Sequence, residues 1–132
     1  MNQWFVINAQ LPSLNTVIEA NRANRYMGNK LKKDVEELIG WAIKQAQTRG
    51  NLTMWQEPCD IFIEWHEKSK RRDVDNIQSS QKFILDALVK NGILHDDGQK
   101  WVKQIYHKVI DGEKDYVVVC IYKAGALEVR RK

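Results

Sequence analysis

Residues 59–66 read Cys59-Asp60-Ile61-Phe62-Ile63-Glu64-Trp65-His66, and their pattern decides the fold class. Cys59, Ile61, Ile63 and Trp65 fall on one side of an extended chain, with Asp60, Phe62, Glu64 and His66 on the other. Side chains alternate across a strand, so this period of two predicts a strand with one face in the core. A basic turn follows, and from about Asn76 to Lys90 the period becomes helical, with Ile77, Ile84 and Leu88 on one face. Asn91-Gly92 closes that helix.

Working outward toward the start, Leu31 to Arg49 predicts another helix, striped by Leu31, Val35, Leu38, Ile39, Ala42 and Ala46. Asn29 can cap its beginning, and Gly50 suits the position just past its end. Leu14 to Asn29 is polar and aperiodic, and reads as a long functional loop. Trp4 to Leu11 alternates, with Phe5, Ile7, Ala9 and Leu11 on one face, until Pro12-Ser13 stops the strand. Toward the other end, Trp101 to Ile110 and Tyr116 to Tyr122 read as strands joined in a hairpin through Asp111-Gly112. The last strand is apolar on both faces, which predicts an interior position. The expectation is α/β, of an α+β-like kind: one small domain over residues 1–132, with a mixed four-stranded sheet and two helices in the order β-α-β-α-β-β.

A chain of 132 residues suits one domain and can bury roughly 68–70% of its unfolded surface, so a conventional core needs no staples. Cys59 and Cys120 lie far apart in apolar runs and read as buried free thiols rather than a disulfide or metal site. The start, Met1-Asn2-Gln3-Trp4, has no basic segment followed by an apolar run, and no window is long and apolar enough for a membrane span. A cytoplasmic protein with no membrane association is the expectation. Net charge is +4, from 21 basic and 17 acidic residues, and its distribution says more than its size. Arg22, Arg25, Lys30, Lys32 and Lys33 form one basic group, Lys68, Lys70, Arg71 and Arg72 a second, and Arg130, Arg131 and Lys132 a third. Each alone reads as a solvated surface, but together they point to a polyanionic partner.

The residues suited to chemistry lie between Lys70 and Asp97. Asp73 and Asp75 are one residue apart, and an extended backbone would point both carboxylates the same way. Such a pair suits a hard cation, which takes oxygen ligands, and the adjoining Lys70, Arg71 and Arg72 could hold a phosphodiester beside it. A second reading stands next to this one: Asp75 with Gln78 matches a capping box, and Asp73 would then be a turn residue. On a continuous helix, offsets of about 7 and 11 residues return to the same direction, so Asp75, Lys82 and Asp86 share a face. An exposed Lys82–Asp86 pair explains that spacing equally well. His95-Asp96-Asp97-Gly98 reads as a turn whose acids would complete a metal site only by folding back toward the helix start.

Three stretches taken together resemble the RusA-type Holliday-junction resolvases, endodeoxyribonucleases found mainly in phages and prophages. They are Arg71-Arg72-Asp73-Val74-Asp75-Asn76, Lys82-Phe83-Ile84-Leu85-Asp86-Ala87-Leu88 and Asn91-Gly92-Ile93-Leu94-His95-Asp96-Asp97. Pro12-Ser13-Leu14-Asn15 also looks like a loop of that family. The resemblance implies that Asp73, Asp75 and Asp97 are catalytic metal ligands and that Lys82 is the functional lysine. Between Asn76 and Lys82 the chain carries three residues more than the shortest family form. The resemblance further implies Mg²⁺ as cofactor, with Mn²⁺ able to substitute, and a homodimer acting on branched DNA. That dimer would resolve four-way junctions by paired nicks, in recombination and repair, leaving a 5′-phosphate and a 3′-hydroxyl. Arg22, Arg25, Lys30, Lys32, Lys33, Lys68, Lys70, Arg71 and Arg72 would grip the DNA backbone. The competing readings are a non-catalytic junction-binding protein and a Mg²⁺-dependent phosphohydrolase acting elsewhere.

Overall fold

The computed structural model describes residues 3–127. The basic group Arg130, Arg131 and Lys132 therefore lies outside the described residues. In chain order the elements are β1 (Gln3–Ile7), α1 (Leu14–Ala23), α2 (Arg25–Thr48), β2 (Cys59–Glu67), α3 (Val74–Gln78), α4 (Gln81–Lys90), β3 (Val102–Asp111) and β4 (Tyr116–Lys123). The strands form one mixed four-stranded sheet in the order β1-β4-β2-β3. β4 is antiparallel to both β1 and β2, whereas β2 and β3 run parallel. The expected class holds: this is a small α+β domain with a mixed sheet.

Register explains which face is covered. Phe5 lies opposite Val119, Val119 opposite Ile63, and Ile63 opposite His107, so these four share one face of the sheet. Phe5, Ile7, Ile61, Ile63, Trp65, Val117, Val119 and Ile121 on that face are all buried. Val35, Ile39, Ile43 and Ala46 of α2 and Ile84 and Leu88 of α4 complete the same core. Both long helices end as their glycines predict. Gly50 and Gly92 take positive φ, and the amides of Asn51 and Ile93 reach back to the carbonyls of Ala46 and Leu88. That is the Schellman arrangement, and a Cβ there would be strained.

Several sequence expectations are corrected. Leu14 to Asn29 is not a loop: it is α1 followed by the start of α2, separated by Asn24 alone. Periodicity misses α1 because only Val17 of it is buried, so no apolar stripe marks it. Ser13 caps α1, its hydroxyl accepting from the Thr16 amide at 3.2 Å. Asn24, not Asn29, caps α2, accepting from the Tyr26 amide at 2.8 Å. The described residues thus hold three helices of ten residues or more, plus the single-turn α3, rather than two. Leu38, assigned to the apolar stripe, is 38% exposed, while Ile43 takes a buried place.

The hairpin expectation is also overturned. β4 sits in the interior of the sheet, as its composition predicts, but β2 separates it from β3. The link after β3 steps across the end of β2 instead: the Gly112 amide donates to the Glu67 carbonyl at 3.1 Å, and Asp115 accepts from the Lys68 amide at 2.8 Å. A turn-favouring Asp-Gly pair reports a reversal, not which strand the chain pairs with next. Among the described residues no helix is long and apolar enough to cross a membrane. Cys59 and Cys120 are free thiols; Cys59 is buried as expected, whereas Cys120 is only half-buried. Burial, with the Asp60 carboxylate beside it, pushes the Cys59 thiol up to about 11.

Candidate active site

Two parallel strands need a crossover, and here it is the segment from Lys68 to Trp101. It leaves the carboxyl end of β2, the place where open sheets with parallel strands commonly carry their sites. Asp73 occupies the N-cap position of α3, and Asp75 lies in its first turn. The Asp73 side chain makes no capping hydrogen bond. The capping box on Asp75 is therefore not formed, because the cap position falls two residues earlier. Asp73, Asp75 and Asp97 are exposed, and none enters an ion pair within the described residues.

The segment is pinned from below by the stretch that follows β1. Ser80 donates its hydroxyl to the Pro12 carbonyl at 2.6 Å, and Ser79 accepts from the Leu14 amide at 3.2 Å. Asn15 donates its side-chain amide to Asn76 at 3.1 Å. The sequence signal for this contact was present in Pro12-Ser13-Leu14-Asn15, but its partner was not legible. Ser79 and Ser80 also break the expected single helix. Ser80 and Phe83 donate to the carbonyls three residues before them, Ile77 and Ser80, so the turn tightens. The break falls between Asn76 and Lys82. Turns of about 100° per residue therefore no longer carry the facing of Asp75 over to Lys82. Lys82 sits in the first turn of α4, at the same end of the sheet, and pairs with Asp86 at 3.8 Å. Both are substantially exposed, so the pair is weak.

Asp97 stands apart. It precedes β3, whose first residue, Val102, lies beside Cys59 at the start of β2. The Cys59 amide donates to the Trp101 carbonyl, and the Trp55 amide to the Ile93 carbonyl, which hold this loop at that end. The turn does not fold back toward the start of α3. β2 separates the two ends by roughly 25 Å at about 3.3 Å per residue. Accordingly, no group of His, Cys, Asp and Glu among the described residues gathers closely enough to hold a metal ion. The donor chemistry nonetheless fits Mg²⁺, which takes oxygen ligands and needs only one or two protein carboxylates. Asp73 and Asp75 supply that pair, and among the described residues their carboxylates have no ion-pair partner to displace.

The basic residues divide by what they touch. Arg22, Arg25, Lys30, Lys32, Lys33, Lys68 and Arg71 make no ion pair within the described residues. The first ten residues of α2 bury only Gly28, so their charges stand clear of the core. Lys70 reaches Asp111 at 3.5 Å, with both side chains well exposed. Arg72 differs: its guanidinium lies on the buried Glu67. Because α2 ends near Asn51, whose carbonyl accepts from the Trp4 amide at the start of β1, its basic half lies at the Asp73 end of the sheet.

Two contacts were missed by sequence reasoning. Glu67 continues the inward parity of Cys59, Ile61, Ile63 and Trp65, and a charge at that position signals a buried partner. His107 joins Trp65 to α4: the Trp65 indole donates to Nδ1 at 2.9 Å, and Nε2 lies 2.8 Å from the Gln81 side-chain oxygen. These partners fix a neutral ring with its proton on Nε2, and burial lowers its pKa from 6.5. His95 packs on Trp101 with ring centroids 4.6 Å apart.

A two-layer α+β domain that places free carboxylates, a lysine and a basic helix at one end of its sheet belongs to a class suited to a phosphodiester backbone. The sequence model described as endodeoxyribonuclease RusA matches residues 10–122 of the 132-residue chain. The chain belongs to that family, one of endodeoxyribonucleases that act on Holliday junctions. The match runs from just past β1 into β4 and includes Asp73, Asp75, Lys82 and Asp97. No curated protein matches the chain.

Proposed function

We propose that this protein is a Mg²⁺-dependent, structure-selective endodeoxyribonuclease that resolves four-way DNA junctions by paired nicks, as a homodimer, in recombination and repair. The observation that carries the reading is the family match together with unpaired Asp73 and Asp75 at the carboxyl end of β2. Asp97 belongs to the opposite end of the sheet, so one chain does not assemble all three acids. A two-fold dimer supplies what is missing: Asp97 of one copy meets Asp73 and Asp75 of the other, twice. Two such sites match the near two-fold symmetry of a four-way junction.

In that arrangement Asp73, Asp75 and Asp97 would hold Mg²⁺, with Mn²⁺ able to substitute, and the ion would supply polarisation of the phosphate and activation of water near neutral pH. Lys82 offsets charge that builds on the phosphate oxygens during in-line displacement, which leaves a 5′-phosphate and a 3′-hydroxyl. Arg22, Arg25, Lys30, Lys32, Lys33, Lys68, Lys70 and Arg71 hold the flanking backbone, so affinity falls steeply with salt. The test is cleavage of a synthetic four-way junction against linear duplex of the same sequence, with Mg²⁺, with Mn²⁺ and with chelator. The expected result is symmetric nicks in the junction alone and none with chelator. Equal cutting of linear duplex, or no cutting with either ion, rejects the reading.

A further inference from the structure

Among the basic residues of the 68–72 turn, Arg72 is the one whose charge faces inward. Its Nε and Nη2 each donate to one carboxylate oxygen of Glu67 at 3.0 Å. Its Nη1 donates to the Leu11 carbonyl at 2.8 Å. Glu67 is the last residue of β2 and is 3% exposed, and the Gln10 side chain also donates to it at 3.4 Å. One planar fork thus joins the end of β2, the segment after β1 and the residue immediately before Asp73. A guanidinium held in this two-pronged way is fixed in direction as well as neutralised. The far end of the same stretch is tied to the same neighbour through Ser79 and Ser80. Asp73 and Asp75 therefore lie between two anchors on residues 11–14, while their own carboxylates stay free.

We propose that the Arg72–Glu67 pair is a positioning device for Asp73 and Asp75, not a contact to the DNA backbone. This rests on the endonuclease reading above for what the aspartates do, and on the geometry alone for what holds them. The pair fixes the backbone just ahead of the carboxylates, and a displacement of about 1 Å at reacting groups can cost on the order of 100-fold in rate.

Two conservative variants separate positioning from gripping. Arg72→Lys keeps the positive charge but loses the fork. Glu67→Gln keeps the shape but removes the charge that holds Arg72, and at 3% exposure Glu67 has no access to DNA. Single-turnover cutting of a four-way junction, junction affinity without metal, and the Mg²⁺ concentration for half-maximal rate are measured for each beside the unsubstituted protein. Both variants are expected to cut at least about tenfold more slowly and to need more Mg²⁺, with junction affinity within about twofold. A Glu67→Gln protein that cuts at the unsubstituted rate overturns the proposal. So does an Arg72→Lys protein that loses affinity but keeps its rate.

Amide hydrogen exchange supplies a readout that needs no activity. The Ile77 and Ser79 amides donate to the Asp73 and Asp75 carbonyls at 3.1 and 3.0 Å. They should exchange faster in both variants, with β2 unchanged. Unchanged protection at Ile77 and Ser79 overturns the proposal. Loss of protection throughout β2 and α4 overturns it as well, since the pair would then hold the fold rather than the loop. If the unsubstituted protein cuts no junction, the endonuclease reading fails while the exchange result still decides the positioning one.

Discussion

The Asp75 side chain has no hydrogen-bond or ion-pair partner among the described residues, so Asp75→Asn removes charge from the site at little structural cost. Exposed substitutions of this kind change stability by about 0.5 kcal/mol or less. The variant should melt with the unsubstituted protein and bind junctions, yet fail to cut them; a large fall in Tm would return Asp75 to a structural role. Lys82→Ala removes only a weak exposed pair with Asp86, 3.8 Å away. It should slow cutting on the order of 100-fold while affinity stays within a few-fold, and equal losses in both would make Lys82 a backbone contact. His107 gives a pH prediction. Burial lowers its folded pKa below the 6.5 of the exposed ring, so the unfolded chain binds the extra proton first. Its contribution to stability is complete above about 6.5 and is lost as pH falls through the lower folded value. Thermal melts between pH 7.5 and 5 should show that loss, and His107→Gln should flatten it. At this scale the sequence made the acids and Lys82 visible by type and spacing. It hid the Arg72–Glu67 pair, because a basic run looks uniformly solvated until the inward parity of Glu67 is followed one residue past His66.

Elements were legible where one face is buried and the other is not. β2 shows alternation because helices cover one side of the sheet, and the ends of α2 and α4 are marked by Gly50 and Gly92 at positive φ. α1 was not legible, since it buries Val17 alone and is held by packing on α2 and the cap at Ser13. Gly28 records that packing: a Cβ there would meet Asn21, approaching its Cα to 3.0 Å. Gly28→Ala gains about 1 kcal/mol of helix propensity. The clash with α1 is of the overpacking kind, about 1–3 kcal/mol. The net expectation is a Tm lowered by a few degrees and exchange faster in α1, and an unchanged or raised Tm would show that Asn21 simply swings aside. The Asp111-Gly112 turn misled for a different reason. Local turn chemistry is satisfied equally by a hairpin and by a link that steps over β2, and pairing was decided by long-range register.

For the whole molecule, the distribution of charge is more informative than its net value of +4. Unpaired Lys30 and Lys33 on α2 lie at the same end of the sheet as Asp73 and Asp75. Replacing both with Ala should weaken junction binding and reduce the slope of log affinity against log salt by about 2, one for each phosphate that is no longer neutralised. An unaltered slope would remove α2 from the interface. The family resemblance, not spacing, implied that Asp73, Asp75 and Asp97 meet, and chain direction was needed to see that a parallel β2–β3 crossover sends Asp97 to the far end. The proposed cleavage requires two copies that share their acids, and mixing subunits tests this most directly. Asp75→Asn and Asp97→Asn proteins, each inactive alone, are unfolded together, refolded as a mixture and given a four-way junction with Mg²⁺. Sharing across the dimer predicts that mixed dimers regain one intact site and nick one strand of the junction. A mixture as inactive as its components would contradict it.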